Sequence, residues 1–176
     1  MTVFLYVIVG IIALVLILAI IAPKTYHVHR GIEIHKPLPE VFQYLKYIKN
    51  QAAWSPWEKK DPNMEKEHIG TDGQVGFISK WVGNKEVGEG EQELLKIVEN
   101  DIIESKLRFF KPWKSESDAY IKVTKIDDHQ TKVTWGFMGN NKFPSSIFML
   151  FFNMDKMVGK DFEEGLTDLK RILESK

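Results

Sequence analysis

No charged residue interrupts this chain between Val3 and Ala22, VFLYVIVGIIALVLILAIIA, and Pro23 with Lys24 closes the run. About twenty residues at about 1.5 Å of rise each make a helix that spans a hydrocarbon core. A basic stretch ahead of the run is missing too, since only Met1 and Thr2 precede it. The exit Ala19-Ile20-Ile21-Ala22 lacks the small-x-small pattern of a cleavage site. These absences favour a retained anchor over residues 1–23 rather than a cleaved signal peptide. A buried core helix apolar on every face needs a larger protein around it than this chain supplies. Lys24, Arg30 and Lys36 follow the run, so the positive-inside rule predicts a single-pass membrane protein with its soluble part, residues 24–176, in the cytoplasm.

The chain has no cysteine, which fits any compartment. It has no basic excess either: 24 Lys+Arg balance 24 Asp+Glu. Nucleic-acid binders carry a basic surplus or stripe, so a nucleic-acid partner is not expected. No nucleophile elbow, phosphate loop or HExxH occurs, and there is no internal repeat or low-complexity tract.

Beyond the anchor lie roughly 150 residues, the size of one ordinary domain with a real core. Five Trp and eleven Phe point to a large aromatic interior. Tyr26 to His35 alternates, with Val28, Arg30, Ile32 and Ile34 on one face and His27, His29, Glu33 and His35 on the other. Pro39 suits the first turn of a short helix carrying Val41, Phe42, Leu45 and Ile48. Trp54-Ser55-Pro56-Trp57 to Asp61-Pro62-Asn63 reads as a loop, because that proline density defeats a continuous helix or a central strand.

Strands are then expected over 75–82, 87–98, 102–110, 119–126 and 131–137, joined by short polar turns. Alternation is clear in the last three: Ile103, Leu107 and Phe109; Ala119, Ile121 and Val123; Val133, Trp135 and Phe137. One face wet and one covered means an antiparallel sheet with something packed on it. The cover is a final amphipathic helix whose stripe includes Met154, Met157, Val158, Phe162, Leu166, Leu169, Ile172 and Leu173. The predicted class is α+β: an antiparallel sheet of about seven strands wrapped around a long C-terminal helix, preceded by one transmembrane helix.

Four stretches in order resemble a bacterial branch of the START-related helix-grip superfamily, the polyketide-cyclase/dehydrase and lipid-transport group. They are Trp54-Ser55-Pro56-Trp57 with Asp61-Pro62-Asn63, and Trp81-x-Gly83-Asn84 with Val87-Gly88-x-Gly90. Val133-Thr134-Trp135 is the third. Met154-Asp155-Lys156-Met157-Val158-Gly159, with Asp161-Phe162 and Gly165-Leu166, completes the set. The resemblance runs from about Tyr26 to the end and implies a pocket between sheet and final helix for apolar small molecules. It implies neither a cofactor nor a catalytic residue that can be carried over. The N-terminal anchor departs from the commonest, fully soluble pattern.

The expected ligand is a hydrophobic small molecule or lipid, lined by Trp81, Leu107, Phe109, Ile121, Trp135, Phe137, Met157 and Phe162. Gly165, which weakens a helix interior by about 1 kcal/mol relative to Ala, fits either a void or a close helix–sheet contact. His27, His29 and His35 invite a metal reading, yet strands rise about 3.3 Å per residue, so His27 and His35 stand too far apart to share an ion. A cyclase- or dehydratase-like enzyme would need Asp155 or Asp161, or Tyr120 if the strand faces inward differently. A third reading is an interaction module regulating a neighbouring membrane protein. Phe143 to Phe152 reads as a buried helix start packed on the sheet, or else as an apolar lip at the pocket mouth touching the membrane.

Overall fold

The computed structural model describes residues 2–141 and 143–175. Helix α1 covers Thr2–Ile21, and none of its apolar window is buried against the rest of the chain. It is long and apolar enough to cross a membrane. Pro23 follows the helix, and the Lys24 ammonium donates back to the Ala19 carbonyl at 2.8 Å, satisfying one of its last free acceptors.

Strand β1 (Thr25–Ile34) leads to α2 (Leu38–Leu45), a 3-10 turn over Ile48–Ala53 and the short α3 (Pro56–Lys60). Strands β2 (Glu65–Ile69), β3 (Ile78–Val82), β4 (Glu89–Val98), β5 (Ile102–Lys111), β6 (Ser115–Lys125) and β7 (Thr131–Asn140) follow. A single turn, α4 (Ser145–Phe148), precedes the long α5 (Met154–Glu174). The seven strands form one antiparallel sheet in the order β1-β7-β6-β5-β4-β3-β2, and α5 packs on its covered face against β1. This is the helix-grip architecture, preceded by an apolar helix.

Local chemistry explains the element ends. The Asn153 side chain caps α5 by accepting from the Lys156 amide at 3.1 Å. Asn84 ties the β3–β4 hairpin to α3: its amide donates to Asp61 at 2.6 Å and its side chain to the Lys60 carbonyl at 2.9 Å. The Asp61 and Asn84 motifs, distant in sequence, thus form one joint.

The strands depart from the sequence pattern in several places: β6 begins at Ser115 rather than 119, and β7 runs on to Asn140 rather than 137. The expected strand over 75–82 begins only at Ile78, because Gly73 and Gly76 adopt positive φ and carry the chain through turns first. Strand β2 was not expected, since Glu65-Lys66-Glu67-His68-Ile69 is exposed throughout and shows no apolar alternation. It pairs with β3 through the backbone ladder at the sheet edge. In β4 a register shift between Leu94 and Lys96 breaks the period of two, which is why that strand does not alternate cleanly in sequence.

The interior is organised along the strands. At the end of the sheet far from α1, Ile34, Val41, Phe42, Leu94, Ile103, Val123, Val133, Leu166, Leu169 and Leu173 pack into a continuous core. Toward the α1 end the same inner face changes character.

Candidate functional site: a cavity under the final helix

Along the inner face of β6 the side chains shrink toward α1: Val123 and Ile121 are core, followed by Ala119, Ser117 and Ser115. Cross-strand register sets this row of small residues among large rings, with Ala119 opposite Phe137, and Ser115 opposite Phe109. Small groups cannot fill the space that α5 spans, and a cavity of about 650 Å³ remains. That volume lies within the roughly 300–1,000 Å³ typical of small-molecule sites.

Its floor is aromatic. Trp135 stacks on Phe162 at 4.2 Å with the planes 16° apart, while Trp54 and Trp57 meet Trp135 edge-on at 4.9 and 5.6 Å. Trp81 and Phe109 form a T-shaped pair at 5.9 Å on the opposite wall. Gly165 belongs to this arrangement by contact: a Cβ there would lie 2.9 Å from the Trp135 ring and 3.1 Å from Pro56. Of its two readings, close packing is the one the geometry fits.

Six of the eight residues expected at the site line the cavity: Trp81, Leu107, Phe109, Trp135, Phe137 and Phe162. Two do not. Ile121 points inward but pairs with Ile103 and Trp135, one inward step farther into the core, and is 5% exposed. Met157 is 56% exposed, because the lining face of α5 runs through Met154, Val158 and Phe162 at intervals of four. Met157 sits one position off that row.

The polar part of the lining was not anticipated. Tyr26 and Ser117 hydroxyls share a hydrogen bond of 2.7 Å within it, and burial raises the Tyr26 pKa, so the phenol stays protonated. The Gln92 side chain donates to Ser105 at 3.3 Å. From the edge strand, Lys66 and His68 face inward beside Ser79, and Lys66 is ion-paired with Glu58. Partial desolvation at the cavity wall, reinforced by Lys49 and Lys66, lowers the His68 pKa below its ordinary 6.5, which leaves a neutral imidazole able to donate and accept at neutral pH. Tyr26 and Ser117 extend the inward alternation of β1 and β6, whereas the only signal for Lys66 and His68 was a period-two pattern in β2 without apolar character, which is not a strand signature by itself.

The carboxylates considered for acid–base chemistry stand elsewhere. Asp155 is held by Arg30 through two hydrogen bonds of 2.8 and 3.0 Å, and Asp161 by Lys60 at 2.6 Å. Neither lines the cavity. Tyr120 lies on the outer face, 3.0 Å from His27 Nε2. His35 bonds Glu174 at 2.9 Å, on a different part of the surface from the His27–His29 pair. The stretch read as a buried helix start is four helical residues flanked by exposed Phe143, Phe151 and Phe152, which corrects that expectation. With only one turn of helix, the segment has no extended apolar face to lay on the sheet.

No protein-family model matches the chain, and no curated protein matches it significantly. Solved structures do share its fold. A protein from Nitrosospira multiformis superposes with a TM-score of 0.60 at 17% identity, over 84% of this chain and 96% of that one. Norcoclaurine synthase from Thalictrum flavum, in complex with dopamine and hydroxybenzaldehyde, gives 0.59 at 12% identity over 91% and 93%. Ara h 8.0201 gives 0.56 at 10% identity over 86% and 99%. At these identities the likeness concerns the fold.

Proposed function

We propose that this chain, which has the helix-grip fold of the START-related superfamily, is anchored in a membrane by α1 and binds a hydrophobic small molecule or lipid without transforming it. The observation that carries this reading is the cavity of about 650 Å³ between sheet and α5, walled by Trp57, Trp81, Phe109, Trp135, Phe137 and Phe162. Apolar walls left facing water in a cleft of that size forgo dispersion contacts and hydrophobic burial. A ligand supplies both. Ser117, Tyr26, Gln92 and His68 favour an occupant with one polar group on an apolar body. The engaged state of Asp155 and Asp161, and the Glu58–Lys66 ion pair, argue for binding over acid–base catalysis.

The test uses the full chain in phospholipid nanodiscs with a diazirine-bearing palmitic acid as probe. Photolabelling is expected on peptides carrying Trp81, Phe109 and Trp135, and Ala119→Leu, which fills the void, is expected to reduce it several-fold. The fatty acid should be recovered unaltered from unirradiated samples. Labelling confined to α1 and indifferent to Ala119→Leu would sink the reading.

A further inference from the structure

Antiparallel register places one set of turns at the end of the sheet where α1 enters. Thr25 pairs with Asn140, Met138 with Asp118, Ser115 with Phe109, Lys111 with Glu89, and Glu89 with Val82. The exit of α1, the β3–β4 hairpin, the β5–β6 turn and the end of β7 therefore share one end of the sheet. The junction is tied: the Asn141 amide donates to the Lys24 carbonyl at 2.8 Å, and its side chain to the Pro23 carbonyl at 3.2 Å. Residues 149–155 border Pro23 to Val28 directly, and α4 touches α1.

This end exposes large apolar rings. Trp113 is 80% exposed at the tip of the β5–β6 turn, and Phe151 is 73% exposed, with Phe143 and Phe152 also open to solvent. Trp113 and its neighbour Pro112 also line the cavity, as do Val87 from the hairpin and Met154 from the start of α5. Exposed rings at such density mark an interaction surface. Lys24, Lys85 and Lys114 stand among them with Glu86, whereas turns at the far end carry Glu99, Asp101, Asp127 and Asp128 with Lys36. The turns at the end where α1 leaves the domain thus carry a small basic surplus, and those at the far end an acidic one.

We propose that this end is a membrane-docking rim, with Trp113, Phe143, Phe151 and Phe152 seated in the headgroup region of the same bilayer that holds α1. The part of the cavity wall made by Val87, Pro112, Trp113 and Met154 then faces lipid, and a ligand passes there between bilayer and cavity without crossing water. Aromatic rings and lysines at one level are the composition of a membrane–water interface, and the basic turns complement an anionic leaflet. The inference rests on the reading of α1 as an anchor; continuity with α1 selects the bilayer as the occupant of the rim.

Because the chain has no cysteine, single cysteines report without background. Full-length Ile11→Cys, Trp113→Cys, Phe151→Cys and Asp128→Cys are labelled with an environment-sensitive fluorophore in phosphatidylcholine–phosphatidylglycerol vesicles and challenged with aqueous iodide. Phe152→Cys and Lys114→Cys stand in should either rim variant fail to fold. Labels at 11, 113 and 151 are expected to be blue-shifted and several-fold less quenched than the label at 128, which lies at the far end. If 11 is shielded while 113 and 151 quench like 128, the rim is overturned and the anchor stands. If 11 quenches like 128, both fall. If shielding at 113 and 151 grows with protein density at constant lipid, the face meets a second copy and the proposal is overturned.

Discussion

Ala119 and Ile121 are neighbours on the inner face of β6, yet they stand on either side of the boundary between void and core. Ile121→Ala opens a new hole among Ile103, Trp135 and Val123 and is expected to cost about 2–5 kcal/mol, measurable as a lowered denaturant midpoint at unchanged slope. Ala119→Leu extends into space already empty, so its midpoint is expected to stay close to that of the parent. Equal losses at the two positions would mean that the cavity is closed in solution. Both residues fit the same alternating pattern in sequence, so the pattern made them look alike. What separates them is the size of the residues brought opposite by register, which no local window contains.

At the scale of elements, α5 is strapped to its neighbours by charge. Arg30 of β1 reaches Asp155 at 2.8 Å and Glu163 at 2.6 Å, while Lys59 of α3 reaches Glu164 at 2.7 Å and Asp168 at 2.5 Å. The Arg30 hydrogen bonds hold Asp155 below its ordinary 3.8, and Lys59 does the same for Asp168. A carboxylate depressed in the folded state stabilises the fold above its unfolded pKa. That contribution is lost as pH falls through 3.8 toward the lower folded value, because the unfolded chain takes up protons first. Thermal melts across the acid range should therefore fall more gently for Arg30→Gln than for the parent, with a modest deficit near neutrality, as expected of exposed ion pairs. Identical acid limbs would show that the strap does not persist in solution. Arg30 was legible as an inward position of β1; its partners on α5 were not, since pairing across 125 residues is a tertiary fact.

At the scale of the molecule, an uncharged helix is followed within a few residues by the first strand, so whatever holds α1 also holds the cavity close by. The full chain is expected to remain in the membrane pellet after an alkaline carbonate wash, and a chain beginning at Lys24 to leave it. N-terminal sequencing of the pelleted chain adds an independent check, since a start after Ala22 would identify the helix as a cleaved signal.

Sequence by itself determined the periodic properties: a charge-free span of membrane length, period-two alternation in β5, β6 and β7, and the period-3.6 stripe of α5. Each follows from side-chain direction along one element, which is a local matter. Tertiary structure alone decided that the inner face of β1, β5, β6 and β7 is full at one end and hollow at the end joined to α1, and that edge strand β2 lends the cavity Lys66 and His68. Volume, unlike periodicity, is a sum over neighbours drawn from distant parts of the chain, and only the register of seven strands brings Ser115, Ser117 and Ala119 under the same helix as Trp81, Phe109 and Phe137.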